Sequence, residues 1–222
     1  HVADMQEWHG IEGISDLYRQ IGKMLGCENA VEHVLQEEYE RVAARYQELR
    51  AEFAKYKFCL IAHGIAYLPD ALRVYQQDYG LPITKICIIM NPSYQAETGL
   101  DDAMMQRFKD RIELAKAEYG CEAEILLEPS EDALREAAQS CDFVICNGHP
   151  RYASLNVPVL YNLFDRSVWN YQGFVDIMEE VWQMLQQPQR TGSSLLLSKL
   201  AYDPVFYPMR EADKDSKASR EL

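Results

Sequence analysis

With 222 residues, 48% of them hydrophobic, the chain is long enough to bury a substantial core and fold as a globular unit. Its 35 acidic against 22 basic residues leave a formal charge of −13, which excludes nucleic acid as a partner, because phosphate contacts require clustered Lys and Arg, and which suits docking on a basic protein surface. No run reaches the roughly 18 apolar residues of a membrane span, and the start, His1-Val-Ala-Asp-Met5, lacks a basic-then-apolar signal pattern, so the expected location is cytoplasmic, away from any membrane.

In chain order, residues 11–26 carry Ile14, Leu17, Tyr18, Ile21 and Leu25 on one helical face and stop at Gly26. A longer helix follows over residues 28–56, where Val31, Val34, Leu35, Tyr39, Val42, Tyr46, Leu49 and Phe53 recur every three or four positions. At 1.5 Å per residue it spans on the order of 40 Å, either as a strut across a border to a partner or as a helix lying over its own domain. Phe58 to Ala62 is the first buried strand, followed by His63-Gly64 and a helix from Pro69 to Tyr79. Ile83 to Met90 forms the second strand and ends in Asn91-Pro-Ser-Tyr94; the pair Asp101-Asp102 then opens a helix running to Tyr119. Ala123 to Leu127 is the third strand, and Ser130 caps a short helix from Glu131 to Gln139.

The fourth and fifth strands lie in Cys141-Asp-Phe-Val-Ile-Cys-Asn-Gly-His149 and Val157-Pro-Val-Leu-Tyr-Asn-Leu-Phe-Asp-Arg166, each a β-branched and aromatic run opening onto polar turn residues. A last amphipathic helix covers 173–185 with Phe174, Ile177, Met178, Val181, Trp182 and Leu185. Alternating strands and helices at this spacing predict an α/β fold, a doubly wound Rossmann-like parallel sheet of about five strands preceded by two helices. The expected organisation is a helical prelude over 1–56, the Rossmann-like domain over 57–187, and over 188–222 an aromatic docking segment around Phe206 and Tyr207 with a solvated, disordered tail.

In such sheets ligands bind beyond the carboxyl ends of the strands, which selects His63, Asn91, Asn147, His149 and Arg166 as candidate cavity-lining residues. The loop Ala62-His-Gly-Ile-Ala-Tyr67 holds one glycine, too few for a dinucleotide fingerprint, and no Walker loop, GxSxG elbow or HExxH is present. His63 and His149 either begin a metal site or are hydrogen-bonded loop residues, and Asp165-Arg166 is either crevice lining or a loop-holding ion pair. Cys27, Cys59, Cys87, Cys121, Cys141 and Cys146 show no zinc spacing. Cys59, Cys87 and Cys146 read as buried thiols inside strands, Cys121 as a more open one, and none is assigned a role or a metal.

Several of these stretches together resemble a family. Gly10-Ile-Glu-Gly-Ile-Ser-Asp-Leu-Tyr18 running into Leu25-Gly-Cys27, the Glu-rich helix, Cys141 to Gly148, Val157-Pro-Val-Leu160 with Phe164-Asp-Arg166, and Tyr171-Gln-Gly-Phe174 are similar in order and spacing to the C-terminal part of nitrogenase component 1 and its relatives, over residues 8–187. Those relatives include cofactor-assembly scaffolds and tetrapyrrole reductases, and the pattern is closer to the β-type subunit. The resemblance implies a C-terminal unit of an oxidoreductase subunit built from Rossmann-like domains. It also implies a homologous component 1 type subunit as partner, electrons from an ATP-dependent iron–sulfur protein, and an iron–sulfur or iron–molybdenum-type cluster in the full-length assembly. The α-type cofactor histidine has no counterpart in Asp165-Arg-Ser-Val-Trp-Asn-Tyr171, and the cysteines present do not match the family's cluster ligands. No cofactor is therefore expected on this chain alone, and by itself it is expected to be inactive. The absent initiator Met fits a C-terminal fragment. The alternative is a non-catalytic scaffold or carrier for assembly of such a cluster.

Overall fold

The computed structural model describes residues 9–63, 68–89, 102–146, 152, 155–161 and 168–186. In chain order these form α1 (Gly10–Leu25), α2 (Glu28–Phe53), β1 (Phe58–His63), α3 (Leu68–Leu72) continuing into a π-helical segment (Arg73–Tyr79), β2 (Ile83–Ile89), α4 (Asp102–Glu118), β3 (Glu124–Leu127), α5 (Glu131–Gln139), β4 (Phe143–Cys146), β5 (Val159–Tyr161) and α6 (Tyr171–Gln186). The aromatic docking segment and tail over 188–222 lie outside the described residues.

All five strands are parallel, in the order β3-β2-β1-β4-β5. The sheet is thus the Rossmann-like α/β sheet that the alternating pattern predicts. Central β1 is buried along its length until its last residue, His63, which is exposed, and Ile61 stands opposite Cys87 on one side and Cys146 on the other.

Alternation along the strands divides the core in two. Phe58, Leu60, Ala62, Ile86, Ile88, Phe143, Ile145 and Leu160 face a large cluster that includes Leu49 and Phe53 of α2, Tyr75 and Tyr79, Ile112 of α4, and Phe174 and Met178 of α6. Cys59, Ile61, Cys87, Val144 and Cys146 face a smaller cluster closed by Leu134, Ala137 and Ala138 of α5 and by Tyr152, Leu155 and Val157.

The buried stripe of α2, Leu35, Val42, Tyr46, Leu49 and Phe53, lies in that larger cluster. Arg45 makes a two-pronged pair with Glu179 at 2.6–2.8 Å and its guanidinium lies 5.3 Å over the Trp182 ring. Along this stripe the helix lies against the chain's own core and α6.

The start of α1 is fixed from elsewhere in the chain. Its N-cap residue His9 makes no side-chain cap, whereas the Asp78 carboxylate accepts a hydrogen bond from the Glu12 amide. Arg73 donates to the His9 carbonyl at 2.9 Å and pairs with Asp78 at 3.3 Å. Gly10 has φ +80°, and a Cβ there would stand 1.8 Å from Asp78 Oδ2, so only glycine fits. At the other end Gly26 takes the left-handed conformation that closes the helix.

The helix expected over Pro69 to Tyr79 is corrected in its second half, which widens to π geometry. The extra residue per turn sets Tyr75, Asp78 and Tyr79 inward together, where burial of the two rings and the Asp78 contact with α1 stabilise the wider turn. Ser130 caps α5 as its sequence suggests, accepting from the Ala133 amide at 3.2 Å. Cys121, expected to be more open, is 5% exposed, with its Sγ 3.7 Å from the Ile83 carbonyl and its thiol pushed up by burial. The turn after α4 points it into the core.

Candidate functional site

Successive connections run from β1 outward through β2 to β3, then return across the sheet to β4 and β5, so the crevice at the switch point lies between the carboxyl ends of β1 and β4. The last residue of β1 therefore comes to this crevice by topology alone. That residue is His63. Its Nε2 lies 2.5 Å from the Tyr152 hydroxyl, and the two rings are tilted at 49° with centroids 5.6 Å apart.

Tyr152 is itself only 1% exposed and packs in the cluster beneath α5. The pair thus joins an exposed imidazole to a buried phenol. Either group can donate, since a neutral ring nitrogen accepts from a phenol and a protonated one donates to it. Such a pair can orient one polar atom of a bound molecule and exchange a proton with it. The other four sequence candidates, Asn91, Asn147, His149 and Arg166, lie outside the described residues, as does Asp165.

The thiol nearest this crevice, Cys146 at the end of β4, is 1% exposed and pushed up to about 12 by burial, so it is a protonated apolar side chain. Among the described residues, no group of three or more His, Cys, Asp or Glu side chains is arranged to hold a metal ion. Cys121 lies in the larger core cluster, while Cys59, Cys87, Cys141 and Cys146 lie in the smaller one. The described thiols therefore do not fit an iron–sulfur cluster.

Two features went unread in the sequence. The first is Asp78, 5% exposed, whose carboxyl is raised to about 7 because burial outweighs the pull of Arg73 and the Glu12 amide. The second is a group of thiols on the face of the sheet covered by α5. Cys59 Sγ is 3.9 Å from Cys87 Sγ, and Cys141, two residues before β4, lies in the same cluster with its sulfur 3.3 Å from the Thr84 hydroxyl. The period-2 pattern puts Cys59 on one face of its strand, but only the register between strands brings Cys87 beside it.

No family model matches the chain, and no curated protein matches it. Among solved structures, a chain of "Nitrogenase Cp1 at pH 6.5" superposes with a TM-score of 0.50 at 12% identity, over 82% of this chain and 44% of that one. The chain therefore spans less than half the length of the nitrogenase chain it matches, and what the likeness shows is a shared nitrogenase-like fold.

Proposed function

We propose that the chain is one Rossmann-like unit of a nitrogenase-like, component 1 type oxidoreductase subunit. In this reading its β1/β4 crevice lines a substrate or metallocofactor cavity in a hetero-oligomer with a homologous subunit, and electrons come from a separate ATP-dependent iron–sulfur protein. The observation that carries the reading is the likeness in fold over 82% of the chain. Any cluster is then held by residues beyond those described, and this unit contributes polar lining. His63 serves as the lining group at the tip of β1, held by Tyr152, where it can donate a hydrogen bond or a proton to a molecule being reduced. Asn91, Asn147, His149 and Arg166, which follow β2, β4 and β5 in the sequence, are the further lining groups of this reading.

In this reading the partner docks at the end of the α1–α2 hairpin. There Met24 and Leu25 are 80% and 73% exposed, and Val34 borders an apolar groove of about 170 Å³ formed with Tyr18, Ala30, Val31 and Leu35. An apolar surface of this kind suits a homologous subunit of similar composition better than a charged ligand.

The test uses the full-length gene product, co-expressed with its homologous subunit and purified anaerobically. Iron content, the electron paramagnetic resonance signature and electron acceptance from the ATP-dependent reductase are measured for wild type and His63→Ala. An iron-loaded complex whose turnover drops at least tenfold in His63→Ala, with iron unchanged, supports the reading. A full-length protein without iron, or one that assembles with no homologous subunit, overturns it.

A further inference from the structure

The α1–α2 hairpin carries an apolar strip two helices wide. Tyr18, Ile21 and Leu25 follow one another at three- and four-residue steps on one face of α1, and Ala30, Val34 and Glu38 follow at four-residue steps on α2. The two helices lie close because Gly22 has no side chain; a Cβ there would stand 2.8 Å from Val31 Cγ2. Tyr18, Val34 and Leu35 line both the groove of about 170 Å³ and a second hollow of about 300 Å³ that continues to Glu38, Asn170 and Tyr171, so the two make one groove. The strip therefore has a protruding end, Met24 and Leu25, and a hollow end that begins at Tyr18, about 10 Å further along the helix.

Much of this strip meets solvent. Besides Met24 and Leu25, Ile21 and Val34 are exposed, as is Trp169, whose carbonyl accepts from the Tyr18 hydroxyl at 2.9 Å. Together these five side chains leave on the order of 500 Å² open, toward the upper end of the roughly 300–600 Å² of a monomer's largest patch. It is also more than half of the roughly 800 Å² that one partner gives to a standard interface.

We propose that this face is self-complementary and pairs two copies of the chain about a two-fold axis, the Met24–Leu25 tip of each entering the groove of the other. The proposal rests on the reading of the hairpin as a subunit contact and names the occupant that fits it.

The layout of the strip selects a second copy. Protrusion and hollow lie on the same strip, so a two-fold rotation that lays two strips antiparallel puts each tip over the other's groove at once, which is the condition for a closed isologous contact. The chemistry agrees, since an unbranched Met and a Leu meet walls made of Tyr18, Val34 and Leu35. The charges agree as well. Lys23 is the basic residue in the last turn of α1, and Glu38, paired with Arg41 on its own helix, is the acidic residue at the far end of the groove. Antiparallel strips bring Lys23 of each copy toward Glu38 of the other, whereas a tip-to-tip contact sets Lys23 against Lys23 and leaves both grooves empty.

The experiment uses sedimentation velocity on the 222-residue chain over roughly 1–100 μM, the range in which an interface of this size associates. A dimer is expected. Leu25→Glu at the tip and Val34→Glu in the groove should each weaken it at least tenfold, and both positions are exposed, so circular dichroism should stay unchanged. Lys23→Glu should also weaken it, and adding Glu38→Lys should restore it. For the geometry, a Leu25→Cys chain is mixed with an isotope-labelled Val34→Cys chain and oxidised, and a 25–34 link between labelled and unlabelled peptides is expected by mass spectrometry. A chain still monomeric at the top of that range, a 25–25 link in place of the 25–34 link, or a dimer indifferent to both glutamates overturns the proposal. A monomeric chain that still assembles with the co-expressed homologous subunit overturns this inference alone, and a dimer whose full-length form holds no iron overturns the proposed function alone.

Discussion

The two faces of the sheet are built from different materials. One is covered by α2, the π-helical segment, α4 and α6 and filled with large rings, Phe58, Tyr75, Tyr79, Phe143 and Phe174 among them, whose edges and faces meet at centroid distances of 4.5–6.4 Å. The other carries thiols and alanines beneath one nine-residue helix, α5. Aromatic area supplies most of the cohesion, because each large ring removes far more apolar surface from water than a thiol does. The small residues of the second face bury less area each and leave it the less cohesive of the two. Cohesion is thus concentrated on one side of the sheet, and the polar groups buried on that aromatic side, Asp78 and Ser15, serve to anchor α1.

That contrast can be broken most severely at the anchor. Gly10→Ala is expected to cost about 4 kcal/mol, combining a left-handed backbone with a clash against Asp78, as measured by urea unfolding. Leu49→Ala, fully buried on the aromatic side, should lose about 3 to 4 kcal/mol in the same assay.

A pH series separates the anchor's charge from its shape. Burial raises the Asp78 carboxyl from 3.8 to about 7, so its stabilising contribution is complete below pH 4 and is lost as pH rises through 7. Asp78→Asn stays neutral throughout. The stability of that variant relative to wild type should therefore rise by roughly 3 kcal/mol from pH 4 to pH 8, and a flat difference would contradict this assignment.

Smaller effects sharpen the comparison. Tyr46→Phe strands the Asp78 carbonyl that its hydroxyl reaches at 2.8 Å and should cost about 1.5 kcal/mol. Cys87→Ala on the thiol side should cost about 1 kcal/mol, because one sulfur is removed where α5 can settle. A loss at Cys87 as large as that at Leu49 would erase the distinction between the faces.

Much of this architecture could be read from residues alone. The β-branched runs at Phe58–Ala62 and Ile83–Ile89, the stop at Gly26 and the cap at Ser130 are local signals, and local forces decide those features. The π-helical widening at Arg73–Tyr79 was hidden because it depends on α1 docking against Asp78, which no helical period encodes. His63 could be placed from its position at a strand end. Its partner Tyr152 could not, standing 89 residues away in a connection without periodic pattern. The contact between Cys59 and Cys87 escaped for a related reason: pairing register is a property of the assembled sheet.

The arrangement at Gly10 also has a consequence in time. As the chain is synthesised, α1 emerges well before the groups that hold its first turn, since Arg73 grips the His9 carbonyl across 64 residues and Asp78 follows later still. Ser15, whose hydroxyl meets that of Tyr171 at 2.7 Å, waits longer, for a partner 156 residues on. This amphipathic helix must therefore dock late, and until Tyr171 has been made its apolar side, with Ile14 and Leu17, is open to whatever chaperone stands at the ribosomal exit.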